Sequence, residues 1–356
     1  MTRYIPILLL FSFSTALAQT DTSSAKAKPL RSDYIEDNTN YINITPFIHN
    51  AANGFELRAR KNLRYDPNES VGIGLRLSHK WIIMAIGYGP KNIQEKKKGS
   101  TDYLNITLNS YGKRLGFDAY YLSYSGYFIS NPAGIPNLGE AYGKDFPILP
   151  GLSTLNIGCN IFYIFNNQKY SYRAPFVQNE TQKRSAGSFI LTVSYSYYQL
   201  KSDTGIVPSL AFAEVPPESR ITDGSFNSVS LMPGYSFTLV GFKRLFFTLS
   251  PSFGIMAQQQ SYLIENATDT KSVIDVVPRA MSRLALGYNG KRFYTGFSSI
   301  IDTYNVPLAN KDFLMYTIGG GSFYIGYRLA VPKSMQKASN KLEELNPKNF
   351  IQRLKG

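Results

Sequence analysis

The stretch "FILTVSYSY" (residues 189–197) decides the fold. Phe189, Leu191, Val193, Tyr195 and Tyr197 alternate with smaller residues that include Thr192, Ser194 and Ser196. A period of two predicts a β-strand whose two faces meet different surroundings. In a soluble sandwich the polar face meets bulk water and tends to carry Lys and Glu. Small uncharged polar residues instead suit a crowded, wet barrel interior, and an aromatic-rich face suits lipid, so the pattern favours a transmembrane barrel.

The same alternation recurs along most of the chain from Gly54 onward. It appears in "GFELRAR" (54–60), "VGIGLRLS" (71–78), "YLNITLNSY" (103–111), "LNIGCNIFY" (155–163), "SLMPGYSFTLV" (230–240) and "LFFTLSPSFG" (245–254). Counting such segments gives about twelve strands, within the range of outer-membrane barrels. The sequence therefore predicts an all-β protein, a transmembrane antiparallel up-and-down β-barrel with a short C-terminal helical tail.

Connection lengths alternate in the way a membrane barrel requires. Short connections fall at "SHKW" (78–81), "SYGKR" (110–114), "VGFKR" (240–244) and "NGKR" (289–292), and long ones at 89–102, 125–152, 201–226, 259–277 and 303–313. Short turns are typical of the periplasmic side and long loops of the outer side. We expect each turn glycine to supply the positive φ of a tight hairpin, while the Lys-Arg pair stays in water.

The connection 166–187 departs from this rule. It is long, yet strand parity places it on the periplasmic side. Three explanations stay open: the flanking strands extend beyond the membrane, a true periplasmic element exists, or the strand count is off by one hairpin.

The N-terminus predicts export. Arg3 precedes an apolar run, and "ALA" (16–18) has the small residues that a signal peptidase recognises. We expect a signal peptide at 1–18, cleaved after Ala18, a periplasmic linker at 19–50, the barrel at 51–330 and a basic amphipathic periplasmic tail at 331–356. Met335, Ala338, Leu342 and Leu345 fall on one helical face of that tail, which could engage a periplasmic protein partner, the barrel mouth or lipid.

The formal net charge is +14. For an exported chain the expected partners are outer-membrane lipids and lipopolysaccharide phosphates rather than nucleic acid. A basic pore lining is a further use of the excess charge. The alternative is that the excess lies in solvated loops and in the tail.

The segment "KYSYRAPFVQNETQKRSAGSFIL" (169–191) resembles the signature of domain of unknown function 4421, an uncharacterised Bacteroidota outer-membrane family. The matching positions are Tyr170, Ser171, Tyr172, Arg173 and Ala174, followed by Gln182, Lys183, Arg184, Ser185, Ala186, Gly187 and Ser188. The segment "VGIGLRLSHKWIIMAIGYG" (71–89) is similar to the Gly-rich strand pair of that family. The resemblance spans 50–330 and implies an outer-membrane location, but it implies no reaction.

The chain offers little for catalysis or metal binding. It has two histidines and one cysteine. We interpret His49 as a linker residue and His79 as a turn residue, neither at the membrane level where lipid-processing barrels place their sites. Cys159 has no intramolecular partner. We therefore predict no catalytic residue, no metal site and no cofactor, and we assign Gly319, Gly320 and Gly321 to close packing or a bend.

One set of basic residues supports a hypothesis. If the alternation is taken literally, six arginines from the first two and last three strands face the lumen, with Glu56 and Asp118 as acidic partners: Arg58, Arg60, Arg76, Arg279, Arg283 and Arg328. Barrel closure brings these strands together, so the arginines would form a basic stripe that binds or passes anions. Alternatively, they form hydrogen-bonded networks that fill a narrow interior.

The sequence thus predicts a non-enzymatic outer-membrane barrel. It would be either a narrow passage for small solutes or anions, or a structural envelope barrel. Two alternatives remain, a lipid-modifying outer-membrane enzyme and a scaffold for a periplasmic partner complex.

Overall fold

The structure, a computed structural model, describes residues 30–51, 53–69, 71–89, 94–308 and 311–344. The expected signal peptide, most of the segment before residue 31, and the tail beyond residue 344 lie outside these residues. The strands are β1 (Ile35–Asp37), β2 (Tyr41–Ala51), β3 (Gly54–Arg58), β4 (Asn62–Pro67), β5 (Gly72–His79), β6 (Ile82–Tyr88), β7 (Asp102–Tyr111), β8 (Leu115–Ile129), β9 (Ile148–Ile164), β10 (Glu180–Gln182), β11 (Ala186–Ser202), β12 (Ile221–Gly241), β13 (Leu245–Ile264), β14 (Lys271–Asn289), β15 (Phe293–Pro307) and β16 (Phe313–Ala330). The helices are α1 (Arg31–Tyr34), α2 (Pro136–Tyr142), α3 (Arg173–Phe176) and α4 (Gln336–Glu344).

Twelve of the described strands form a closed antiparallel ring. The order around the ring is β2, β5, β6, β7, β8, β9, β11, β12, β13, β14, β15 and β16, and β16 returns to pair with β2. Neighbours in the ring follow one another along the chain, apart from short segments that leave it. The predicted up-and-down barrel of twelve strands is confirmed.

The hairpin β3–β4 gives one end of the barrel a second closure. β3 continues β2 along β16, with Gly54 opposite Thr317, and β4 pairs with the end of β8, with Pro67 opposite Tyr127. This path bypasses β2, β5, β6 and β7, so a second closed path runs through ten strands at this end. The barrel wall therefore divides into two branches, which we call the fork, where β6 and β7 end on this side.

The barrel begins earlier than the sequence suggested. β2 occupies 41–51, inside the segment assigned to a linker, and pairs with β16 and β5. Its alternation is interrupted by Pro46, which cannot donate a ladder hydrogen bond. The strand count was nevertheless correct, because the segment 54–60 (β3), which was counted, lies outside the twelve-stranded ring and offsets the missed β2.

The two faces of the wall have the expected chemistry. On β11, Phe189, Val193 and Tyr195 point outward with 69%, 46% and 45% exposure, while Ser194 and Ser196 are buried. Serine and threonine also fill the inner faces of β12 and β13. Small hydroxyl residues leave room for larger side chains from other strands, so the interior packs without apolar residues at every inward position.

All short turns lie at one end, which we call the turn end, together with the start of β2 and the end of β16. At the opposite end, the loop end, lie the β3–β4 hairpin and the long connections other than the one between β9 and β11. The turn glycines act differently from expectation. Gly112 and Gly290 do not have positive φ. In another turn the residues with positive φ are Phe242 and Lys243. Glycine is needed instead for close approach, because a Cβ at Gly290 would lie 2.6 Å from the Phe293 carbonyl oxygen.

None of the helices in the described part of the chain is long and apolar enough to cross a membrane. The expected C-terminal helix is present as α4. Of its side chains, Ser339 is buried and Ala338 is exposed, and Met335, just before the helix, is also exposed.

Candidate functional site: a chamber in the barrel

The long connection between β9 and β11 folds into the lumen at the turn end. We call residues 166–185 the plug segment; it carries α3, β10 and most of the family-like motif. Tyr170 and Tyr172 are buried, and the Tyr172 ring packs against Phe162 of β9 and Tyr111 of β7. The Tyr170 hydroxyl is hydrogen-bonded to Ser236 of β12. Of the three explanations for this connection, the structure supports a true element at the turn end.

Polar contacts hold the plug segment on the opposite wall. Gln178 Nε2 donates to the Tyr324 hydroxyl at 2.9 Å. Asn289 Nδ2 donates to the carbonyls of Ala174 and Glu180 at 3.3 and 3.0 Å. Arg328 donates to the carbonyl of Gln178 and, at 2.6 Å, to Asn289 Oδ1. The segment therefore contacts strands on several sides of the ring.

Glu180 is the anchor within the plug segment. Its side chain is fully buried and accepts from Arg31 at 2.8 Å, from the Ser171 hydroxyl at 2.5 Å and from Arg173 at 3.4 Å. The N-terminal strand β1 pairs with β10, with Ile35 opposite Gln182. A buried carboxylate is stable only with such compensation, so β1 and α1 fasten the plug segment.

Aromatic and aliphatic side chains seal the loop end. Phe55 stacks on Tyr65 with ring centroids 4.5 Å apart, and Tyr198 lies 4.1 Å from Tyr316. Leu57 and Leu63 of the β3–β4 hairpin belong to the same buried cluster, as do residues from loop-end connections. Burial of this many large side chains gives a tightly packed seal.

Between the two seals lies a pocket of about 310 Å³, which we call the chamber. It is partly open to solvent, and Asn50 in its lining is exposed. Phe176 and Val177 of the plug segment form part of its surface. Its lining combines apolar side chains with polar ones that include Asn105, Asn109 and Asn160. The Oδ1 atoms of Asn105 and Asn160 are buried and have no hydrogen-bond partner among the described residues.

Four of the six predicted stripe arginines lie on inward positions, and three of these each form several hydrogen bonds within the interior. Arg279 forms a two-pronged pair with Asp302, at 3.0 and 2.5 Å, and also donates to Ser230. Arg283 donates to Asp118 at 2.5 Å and to the Tyr111 hydroxyl at 3.2 Å. The third is Arg328, which binds the plug segment. Asp118 thus has the partner role predicted for it, and the filled-interior alternative describes these three arginines best.

Arg58, Arg60 and Glu56 lie elsewhere, and their predicted inward orientation is corrected. In β3 the inward face carries Phe55 and Leu57, which are buried in the loop-end seal. Glu56 and Arg58 form a pair on the opposite face, at 3.4 Å, and Arg60 is exposed. The predicted alternation is correct, but its two faces were assigned the wrong way round. The apolar face of β3 points inward, because the barrel interior is apolar at the loop end.

Arg76 differs from the other inward arginines. It lies between the rings of Phe47 and Tyr324, 5.6 and 5.8 Å from their centroids. Its hydrogen bond is to the Phe176 carbonyl at 3.4 Å. Among the described residues no carboxylate pairs with it, although it lines the chamber.

The histidines occupy two different places. His49 points into the chamber, with Nε2 buried and without a partner among the described residues. His79, at the turn end, contacts Ser339 of α4, with Nε2 and Oγ 2.8 Å apart, and its Nδ1 lies 3.1 Å from the Tyr41 carbonyl. Within the described ranges no group of three His, Cys, Asp or Glu could hold a metal ion. The His79–Ser339 contact and the role of His49 escaped sequence analysis because both depend on partners distant along the chain.

The glycine run and the cysteine have structural positions. Gly319 and Gly320 have φ of 154° and 149°, and a Cβ at Gly319 would lie 2.0 Å from the Ile300 carbonyl oxygen. The run lies beside the junction of β2 and β3. Cys159 is a free, half-buried thiol on β9.

Comparison with known proteins gives a family and only loose structural likenesses. The outer membrane protease OmpT from Escherichia coli superposes with a TM-score of 0.38 at 8% identity, covering 82% of this chain and 97% of that chain. The P. putida toluene transporter TodX gives 0.26 at 10% identity, covering 84% and 90%. A Pseudomonas aeruginosa FadL homologue gives 0.23 at 11% identity, covering 84% and 90%. TM-scores this low support no inference from these proteins about the fold or the activity of this chain.

No curated protein matches the sequence. The model of one protein family, described as Domain of unknown function (DUF4421), matches residues 22–329. This match includes the barrel and the plug segment. The chain therefore belongs to the family of domain of unknown function 4421.

Proposed function

We propose that this protein is a non-enzymatic outer-membrane β-barrel that is closed at rest and holds a small polar solute in its chamber. The apolar exterior supports the membrane setting. Phe189, Phe253 and Phe323 are 69%, 66% and 60% exposed, and each such side chain gains about 1.5–3 kcal/mol when it leaves water. A ring of them is stable only if lipid covers it.

The charge distribution supports lipid headgroups as surroundings. Lys113, Arg114, Lys183, Arg184 and Lys291 are all exposed at the turn end. In an outer membrane this end would face the periplasm, where cations attract anionic phospholipid headgroups. Lys96–Lys98 at the loop end would meet lipopolysaccharide phosphates.

The observation that carries the proposal is the presence of two seals with a chamber between them. An open pore needs a continuous wet path, whereas here the plug segment closes one end and a packed aromatic cluster closes the other. The chamber is of the size that holds a small molecule. The strand of the plug segment pairs with β1 rather than with a strand of the ring, so the plug segment is the element that would open.

Planar-bilayer recording tests the closed state. We expect no steady conductance from folded wild-type protein. A variant in which a Gly-Ser linker replaces residues 169–182, combined with Tyr198→Ala and Tyr316→Ala, should conduct, whereas a control with Phe253→Ala on the outer face should stay silent. Steady conductance from the wild-type protein would refute the closed barrel.

A hydrolytic activity at the turn end is a second candidate, favoured by the His79–Ser339 contact. If Nδ1–H of His79 donates to the Tyr41 carbonyl, Nε2 is left to accept the Ser339 proton, as in an activated serine. Ser339 is only 8% exposed, which favours a clamp for α4. Fluorophosphonate labelling that disappears in Ser339→Ala would support the hydrolase, and absence of labelling would support the clamp.

A further inference from the structure

The chamber contains one positive charge that the protein itself does not neutralise. Asp118 and Asp302 line the chamber, but each is paired with a buried arginine, Arg283 and Arg279. Arg76 also lines it and, among the described residues, has no carboxylate within ion-pair distance. Because each aspartate is neutralised by its own arginine, the lining together with Arg279 behind it carries a net excess of one cation.

The position of Arg76 favours an anion in its plane. Two aromatic rings flank the guanidinium, which leaves its N–H edge as the route for further hydrogen bonds. The one acceptor it has, the Phe176 carbonyl at 3.4 Å, is at the long limit of such a bond. The half-buried guanidinium thus has donors left over, and a carboxylate placed at this edge would supply two short charge-assisted bonds.

The remaining polar atoms of the chamber call for hydroxyl donors. Asn105 Oδ1, Asn160 Oδ1 and His49 Nε2 are all buried and have no partner within the described part of the chain. The two amide oxygens accept hydrogen bonds, and a neutral imidazole nitrogen does so in one tautomer. Unsatisfied acceptors of this kind each cost about 1–3 kcal/mol. A shift of these side chains toward the chamber would let ligand hydroxyls or water remove that cost.

We propose that the chamber binds a small hydroxylated monocarboxylate, such as a sugar acid, with its carboxylate on Arg76 and its hydroxyls toward Asn105, Asn160 and His49. The single excess cation selects a monoanion over a phosphate dianion. This assignment rests on the proposed solute chamber and adds the class of the solute.

The test uses the full-length mature protein, folded in detergent, with D-glucuronate as the probe and D-glucose as its neutral counterpart. Isothermal titration should show glucuronate binding and at least tenfold weaker glucose binding. Arg76→Gln should weaken glucuronate binding about 10- to 100-fold, the value of a hydrogen bond to a charged group. Arg60→Gln, which removes an exposed arginine at the loop end, should bind like the wild-type protein.

Entry and folding are controlled separately. Because both seals restrict entry, each titration is repeated with Glu180→Gln, which loosens the plug segment. Folding is checked by heat-modifiable migration in SDS gels, and Arg76→Lys, which keeps the charge, should retain part of the affinity. Equal binding of glucose and glucuronate would overturn the anion assignment while leaving the closed chamber intact. The absence of glucuronate binding in both the wild-type and Glu180→Gln proteins would overturn the anion assignment as well. Neither result tests whether the barrel is closed, which only the conductance measurement does.

Discussion

Removal of Asp118 should destabilise the barrel by far more than removal of a comparable carboxylate on its outer surface. In the folded protein Asp118 Oδ2 lies 2.5 Å from Arg283 Nη2, and the two side chains are 7% and 10% exposed. Asp118→Ala leaves the guanidinium buried with one hydrogen bond, to the Tyr111 hydroxyl at 3.2 Å.

The magnitude follows from the cost of a buried unpaired charge. Breaking a buried ion pair from one side costs about 3–5 kcal/mol. Because Tyr111 and the nearby rings of Phe162 and Tyr172 remain, we expect the lower end, about 3 kcal/mol, or roughly a hundredfold change in the unfolding equilibrium. The double variant Asp118→Ala/Arg283→Met should recover most of this loss, since no charge is then left unpaired.

Glu56→Ala is the matched control. Its partner Arg58 is 40% exposed on the outer face of β3, and an exposed pair contributes about 0–1 kcal/mol. Urea unfolding from detergent micelles, followed by the fluorescence of Trp81, the one tryptophan of the chain, gives all four free energies. If Asp118→Ala costs no more than Glu56→Ala, the interior is wet enough to screen the pair and the filled-interior interpretation is wrong.

Three further predictions concern the fork, the plug segment and the glycine run. Burial raises the pKa of Glu69, in the connection between β4 and β5, to about 7. The pKa of Glu69 in the folded protein lies above the unfolded value near 4.3, so the free energy of unfolding falls as pH rises from about 4 to 7. Glu69→Gln should flatten this decline and stabilise the protein at pH 8 by on the order of 1–3 kcal/mol. An unchanged urea midpoint at pH 8 would contradict this prediction. Glu180→Gln should expose the plug segment to trypsin while the barrel melts within a few degrees of the wild-type temperature; equal cleavage of both proteins would count against Glu180 as the anchor. Gly319→Ala should lower the free energy of unfolding by about 2 kcal/mol or more, because its Cβ would meet the Ile300 carbonyl. Gly241→Ala, with open space around its Cβ, should change that free energy by no more than about 0.5 kcal/mol. Similar urea midpoints for the two variants would refute the close-approach argument.

The ring of strands could be predicted because its signals are local. Alternation in segments such as 189–197 and the lengths of the connections depend only on neighbouring residues, and parity alone placed the 166–187 connection at the turn end. The β2 strand was missed because Pro46 interrupts the pattern that marks it.

The interior contacts could not be predicted, since they depend on register across the barrel. Asp118 and Arg283 are separated by 165 positions, and their sequence neighbours do not reveal that they meet. The reversed phase of β3 has a different cause. Alternation identifies two faces but cannot say whether the apolar one meets lipid or an apolar interior, and Phe55 lies on the inner face because the seal requires it.

The last strand, β16, completes both closed paths, because it pairs with β2 near its C-terminal end and with β3 near its start. These pairings join the two ends of the barrel sequence, with Leu329 opposite Ile42, so they have the highest loop-closure cost of the fold. A nascent or truncated chain that lacks β16 would leave free edges on β15, β2 and β3 at once. The barrel therefore cannot close until β16 has been added. Premature termination before this strand would produce an open, aggregation-prone sheet rather than a smaller barrel.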